Sequence, residues 1–126
     1  GGAAATIWLA LDSVDDENGC LRHVRGSHLD GIRPHGRSNV LGFSQGITDY
    51  GPADYERQCP IFLQPGDAVA HHGNTIHRAN VNTSPTRHRR AFAMVYQGRS
   101  CQRDVQAFAR YQAGLAEQRA QPGLNA

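Results

Sequence analysis

Short apolar segments cut apart by glycine-containing polar turns recur through residues 1–28 and 60–99 of this chain, and that punctuation limits the folds open to it. Residues 6–12 (TIWLALD) are apolar, β-branched or aromatic at most positions and predict a strand covered on both faces. Asp15-Asp16-Glu17-Asn18-Gly19 follows, a charged turn whose Asn-Gly step predicts a hairpin. Residues 20–25 (CLRHVR) form the returning strand, with Cys20, Arg22 and Val24 on one side and Leu21, His23 and Arg25 on the other. Gly26-Ser27-His28 breaks it. Residues 60–64, 68–72 and 89–97 predict further strands, separated by Pro65-Gly66-Asp67 and by Gly73-Asn74. In the last, Arg89, Ala91, Ala93 and Val95 share one face while Phe92, Met94 and Tyr96 share the other. Ser100 is a candidate cap for a closing helix over residues 102–119, with Val105, Phe108, Ala109 and Leu115 as its apolar seam and Gln121-Pro122-Gly123 ending it. Five or six short strands with one terminal helix predict a mainly β fold, a jelly-roll or cupin-like double-stranded β-helix.

At 126 residues the chain is expected to form a single domain, with β-helix strands over residues 1–99 and the helix over 100–120. Residues 29–59, rich in Gly, Pro, Asn, Ser and Asp, read as one long loop. A loop of that length inside a domain is usually a lid or a binding loop, and Arg33, His35, Arg37 and Gln45 are its candidates for substrate contact. The net charge of +2 does not call for a nucleic-acid or membrane partner. All thirteen basic residues are arginine, clustered only at Arg87, Arg89 and Arg90 and without aromatic interleaving. Cys20, Cys59 and Cys101 are odd in number and widely spaced, so neither a disulfide framework nor a zinc knuckle is expected. With no apolar run long enough to span a bilayer and no signal peptide visible, the expectation is a cytoplasmic protein acting on a small molecule.

The segment TIHRANVNTSPTRHRRAFA, residues 75–93, concentrates the chemistry. His77 precedes a polar turn, and twelve residues later Arg89 opens an apolar strand. Taken singly, His77 reads as a hydrogen-bonded histidine at a strand end and Arg89 as a solvated charge. Together they suit a metal held by the histidine and a metal-bound co-substrate whose carboxylate pairs with the arginine. The guanidinium fork makes two parallel charge-assisted hydrogen bonds to a carboxylate, which lysine cannot reproduce. The small Ala91, Ala93 and Val95 beside Arg89 leave room for a ligand.

Three blocks carry a family resemblance: WLALDSVDDENGCLRHVRGSH (residues 8–28), QPGDAVAHHG (residues 64–73) and the stretch from His77 to residue 93. In order and in motif, with an Asn-Gly-Cys turn, a Gly-Ser-His strand end and a Pro-Gly-Asp turn before the histidine, the chain resembles the phytanoyl-CoA dioxygenase family. The resemblance implies a non-haem iron(II)- and 2-oxoglutarate-dependent oxygenase on a double-stranded β-helix. It would consume O2, release succinate and carbon dioxide, and hydroxylate an aliphatic C–H of a small molecule. By the same resemblance His77 is an iron ligand, Arg89 pairs with the distal carboxylate of 2-oxoglutarate, and Arg90 is a weaker stand-in turned to the opposite face. Trp8 falls where the family places an aromatic near the co-substrate, and equally where a core tryptophan would sit. His72 could line the pocket, and Ser27 and His28 could border it or form a turn and cap.

The family completes its iron site with a His-x-Asp pair ahead of the Trp8 strand, so the chain reads as the C-terminal portion of such a domain. His28-Leu29-Asp30 repeats the pattern, but its strand-end context argues against it. A domain lacking its first strands would expose sheet edges and self-associate through them. The rival expectation is a catalytically inactive cupin-like binding or assembly module derived from the family. A third is a metal-binding cupin using His71, His72 and His77 without 2-oxoglutarate.

Overall fold

The computed structural model describes residues 4–38 and 45–120, apart from the side chain of Gln118. The expected tail turn at Gln121-Pro122-Gly123 lies outside them. Eight strands and two helices follow in order: β1 (Ala4–Ala10), β2 (Leu21–Val24), β3 (His35–Arg37), β4 (Gln45–Ile47), α1 (Pro52–Arg57), β5 (Gln58–Ile61), β6 (Ala68–His72), β7 (His77–Ala79), β8 (Ala91–Gln97) and α2 (Val105–Arg119). Two compact units result. One is Gly1–Gly31 with Gly51–Cys101, the other Ile32–Tyr50 with Gln102–Ala126.

The first unit holds two antiparallel three-stranded sheets, ordered β6-β1-β8 and β5-β2-β7. Their inner faces meet in a core of Trp8, Ala10, Val14, Cys20 and Leu21, flanked by Ile61, Leu63, Val69 and Ala91. Alternation along each strand decides what faces inward. On β1, Trp8 and Ala10 are buried, and their register partners are Val69 and Ala93 for Trp8, Ala91 for Ala10. The same register carries Thr6, and with it His71, onto that face. This two-layer β architecture is the expected jelly-roll class.

The Asn-Gly turn does not make a hairpin. β1 and β2 never pair, because each finds its partners in a different sheet and the turn carries the chain from one layer to the other. Asn18 is fully buried there. Its Oδ1 accepts the Asp15 N–H at 2.8 Å, and its Nδ2 donates to Ser13 O at 2.7 Å and to His88 O at 3.0 Å. Gly19 sits at φ +80°, and a Cβ at that position would lie 2.5 Å from Asn80 O.

Residues 29–38 and 45–59 are more structured than a single loop, and residues 39–44 of that expected loop lie outside the described ones. β3 and β4 pair as a hairpin in register His35↔Ile47, and Arg33 bonds to Asp49 across its base. α1 begins with Pro52 after Gly51, whose N–H donates to the Asp54 carboxylate at 2.9 Å. These elements are too short to show periodicity, so their sequence reads as loop. The closing helix also starts later than expected, because Asp104 caps it in place of Ser100, accepting the Ala107 N–H at 2.9 Å. Val105, assigned to its apolar seam, is 74% exposed. Among the described residues no helix is long and apolar enough to cross a membrane.

Asn18→Ala should remove three buried hydrogen bonds and leave the Ser13 and His88 carbonyls short of a donor. We expect it to destabilise the first unit by about 2–4 kcal/mol in urea denaturation. Gly19→Ala, which strains a left-handed backbone against Asn80, should cost about 1–3 kcal/mol.

Candidate active site

The β1–β2 turn organises the segment that carries Arg89. Asp15 pairs with Arg87 through two hydrogen bonds of 2.8 Å, Glu17 O accepts from the Thr83 N–H and hydroxyl at 2.9 Å, and Asn18 holds His88 O. Just ahead, Asp12 accepts from the Arg90 N–H at 2.7 Å and from its guanidinium at 3.0 and 2.7 Å. Arg90 is thereby committed to Asp12. Arg89, one residue earlier, turns the other way, and its guanidinium carbon lies 5.8 Å from the Trp8 ring centre. That distance suits a cation–π contact. Trp8 is itself 9% exposed and belongs to the core cluster, so it serves as both core and platform.

His77 opens β7, opposite His23 of β2. Its placement depends on Ser27, whose hydroxyl donates to Val24 O at 2.7 Å and accepts the Ile76 N–H at 2.8 Å. The His77 Nδ1 lies 2.9 Å from its own Thr75 O. A ring that donates Nδ1–H to a backbone carbonyl presents Nε2 with a free lone pair, the usual arrangement of a metal-ligating histidine.

Two further histidines meet it. His71, inward on β6, places its ring centre 4.8 Å from His77 and 4.8 Å from His23, and His23 lies 6.1 Å from His77. Burial, reinforced by the His71 and His77 rings, pushes the His23 imidazole down to about 4. Burial first and His77 second also lower His71. His23 Nε2 and His71 Nδ1 are both buried without a hydrogen-bond partner.

His72 does not join this group. It pairs in register with Ala5 and so faces away from His71, with its ring 5.8 Å from His28. The inward histidine of β6 is His71, and the trio that meets is His23, His71 and His77. His28 lies within a single 3-10 turn that Asp30 ends, and Asp30 accepts from Arg57 at 2.8 Å. Among the described residues no three His, Cys, Asp or Glu side chains are already disposed to hold a metal ion. The fit to the family's iron is therefore partial: His77 presents an imidazole nitrogen and Arg89 a guanidinium, but among the described residues no two-histidine, one-carboxylate set is assembled.

The phytanoyl-CoA dioxygenase (PhyH) family model matches residues 1–91, a span that includes Trp8, all three strands of the histidine trio and Arg89. This chain belongs to the phytanoyl-CoA dioxygenase family. Among curated members, phytanoyl-CoA dioxygenase domain-containing protein 1 of Danio rerio is 36% identical over 89 residues, covering 66% of this chain. The chain spans 30% of that relative's length. Two solved structures are also similar. EvdO2 from Micromonospora carbonacea var. aurantiaca, complexed with 2-oxoglutarate, is 28% identical with a TM-score of 0.65, over 77% of this chain and 39% of its own. The epimerase SnoN, in complex with Fe3+, alpha ketoglutarate and nogalamycin RO, is 26% identical with a TM-score of 0.64, over 98% of this chain and 44% of its own.

In this family member His23 was given no role by motif, and His71 entered only beside His72 and His77 in the metal-binding alternative, yet a signal for His23 was present. It shares the Leu21 side of its strand, and Leu21 is core.

The Asp12–Arg90 and Asp15–Arg87 pairs give a pH test. Hydrogen bonds from Arg90 and from Arg87 hold the two carboxyls down to about 2. Depressed carboxyls stabilise the fold above their unfolded pKa, about 4, and that contribution is lost as pH falls through the folded value. Stability should therefore fall between pH 4 and about 2, and less steeply in Asp12→Asn, as read by urea midpoints at stepped pH.

Proposed function

We propose that this chain contributes His77, Arg89 and Trp8 to the site of an iron(II)- and 2-oxoglutarate-dependent dioxygenase that hydroxylates an aliphatic C–H of a small molecule. The observation that carries the reading is the division of labour between adjacent arginines: Asp12 occupies Arg90, while Arg89 lies over Trp8 on the inner face. An arginine there is placed to receive a carboxylate. The reading also draws support from the family and from similar structures holding 2-oxoglutarate or Fe3+ with alpha ketoglutarate.

Iron(II), when bound with 2-oxoglutarate, supplies O2 activation coupled to release of carbon dioxide and succinate. The chain's own residues do simpler things. Arg89 binds and orients the distal carboxylate through its fork. Trp8 excludes water along one side of that ion pair, which strengthens it. Ala91 and Ala93, partners of Ala10 and Trp8, keep the floor shallow enough for the co-substrate chain. His77 offers Nε2 to the metal while Thr75 O holds its ring. We extend the reading to a cytoplasmic protein with a small-molecule substrate and with neither nucleic acid nor membrane as partner. Self-association through sheet edges also belongs to it.

A second reading, a binding module without turnover, is favoured by one observation, that the described residues assemble no complete metal set.

Anaerobic titration with iron(II) and 2-oxoglutarate separates the two. On the dioxygenase reading Arg89→Ala should weaken 2-oxoglutarate on the order of 10- to 100-fold, the worth of a charge-assisted pair. Arg89→Lys should restore little of it, and Arg90→Ala should cost far less. Equal losses in the Arg89 and Arg90 variants, or none in either, would count against the assignment.

A further inference from the structure

Two buried ring nitrogens that the family's ligand set does not use lie beside His77. His23, 9% exposed, leaves Nε2 without a hydrogen-bond partner, and His71 on the facing sheet leaves Nδ1 in the same state. Their ring centres are 4.8 Å apart with planes crossing at 67°, so the rings meet edge to face. An orphaned polar atom in a native core asks for an explanation, because its desolvation cost stands until a partner arrives.

The surroundings narrow that partner down. Along β1 the inner face changes character: Trp8 and Ala10 pair with Val69, Ala93 and Ala91, whereas Thr6, two residues earlier, pairs with His71. The sandwich is thus apolar at Trp8 and rich in hydrogen-bonding groups at Thr6, His71 and His23. His71 is half-buried and His77 exposed, so the polar end is also the open end.

We propose that His23 and His71 select a neutral, hydroxylated small molecule as substrate, holding one of its hydroxyl groups between them. A hydroxyl donates and accepts on one atom, so it serves a bare nitrogen or an N–H and satisfies either tautomer of each ring. A saturated acyl chain does neither and would leave both nitrogens orphaned in the complex. A site built to bond a hydroxyl rejects a ligand lacking it more strongly than an apolar site rejects an extra one. An imidazole buried as deeply as His23 is held neutral, so the site does not call for a carboxylate or phosphate. On the oxygenase reading, on which this choice of substrate rests, His77 stays with the iron. His71 and His23, with ring centres 4.8 and 6.1 Å from His77, then hold the hydroxyl next to the reacting C–H.

The test uses the purified chain with 15N-labelled histidine rings and Zn2+ in place of iron(II), with and without 2-oxoglutarate. myo-Inositol and methyl α-glucoside are the hydroxylated probes, and methyl octanoate is the neutral acyl probe. We expect the hydroxylated probes to shift His23 Nε2 and His71 Nδ1 saturably while His28, His35, His72 and His88 stay in place. They should bind at least ~10-fold tighter than methyl octanoate, which is what one satisfied nitrogen contributes. His71→Phe should erase that preference, and His71→Asn, which keeps a donor and an acceptor, should restore part of it. The preference is a ratio of two ligands on one protein, so a uniform weakening from disturbed packing does not imitate it. Equal binding of both kinds of probe, tighter binding of methyl octanoate, or no shift of these two nitrogens in either condition would each overturn the proposal. The iron(II) and 2-oxoglutarate titration reports on the oxygenase reading by itself. A chelate without probe shifts would sink the substrate class alone, and probe shifts without a chelate would sink turnover while leaving hydroxyl recognition standing.

Discussion

A single buried amide, that of Asn18, connects the parts of this structure that would otherwise have no reason to coincide. Its two donors and one acceptor join Ser13, Asp15 and His88, which means the end of β1, the turn into β2 and the approach to β8. Fully buried, it has no water to fall back on, so all three partners must be in place together. The neighbouring carboxylates extend the same grip from outside, Asp15 on Arg87 and Asp12 on Arg90. As exposed ion pairs they contribute modestly to stability. Their larger effect is directional: with Arg87 and Arg90 both committed outward, Arg89 is the member of the cluster left to the inner face.

The histidine trio answers to a different constraint, the two-residue period of the strands. Adjacent His71 and His72 look equivalent in sequence and are separated completely by alternation, one into the core beside His23 and the other out toward His28. A slip of one residue in the β1–β6 register would exchange them. What holds that register is the apolar pattern itself. Trp8 and Ala10 must be covered, so Thr6 and its partner His71 follow them inward.

Much of this was legible in the sequence, and the failures share a cause. The strands β1, β2, β6 and β8, the turn residues and the two-layer class follow from period-two patterning and Gly, Pro and Asn placement, which are local signals. The Asn18-Gly19 step was misread because the turn chemistry is local while the pairing is not. The same two residues that would close a hairpin here carry the chain across a sandwich. The β3–β4 hairpin and α1 are too short to show a period at all. Asp104 took the capping role from Ser100 because helical backbone begins only at Val105. His23 was placed on the correct side of its strand but read without its neighbours, since its partner His77 lies 54 positions away in the chain. Nothing along one strand announces that a second sheet will set a third histidine against it.

These two constraints meet only at the core, and that has a consequence for how the site behaves. Arg89 is positioned by a turn and its hydrogen bonds, whereas His23, His71 and His77 are positioned by ladders of paired strands. Damage to the turn would loosen the arginine while leaving the histidines opposed. Damage to a ladder would scatter the histidines while leaving Arg89 against Trp8. The arginine and the histidines therefore rest on separable supports within one small sandwich. Either group can keep its place without the other.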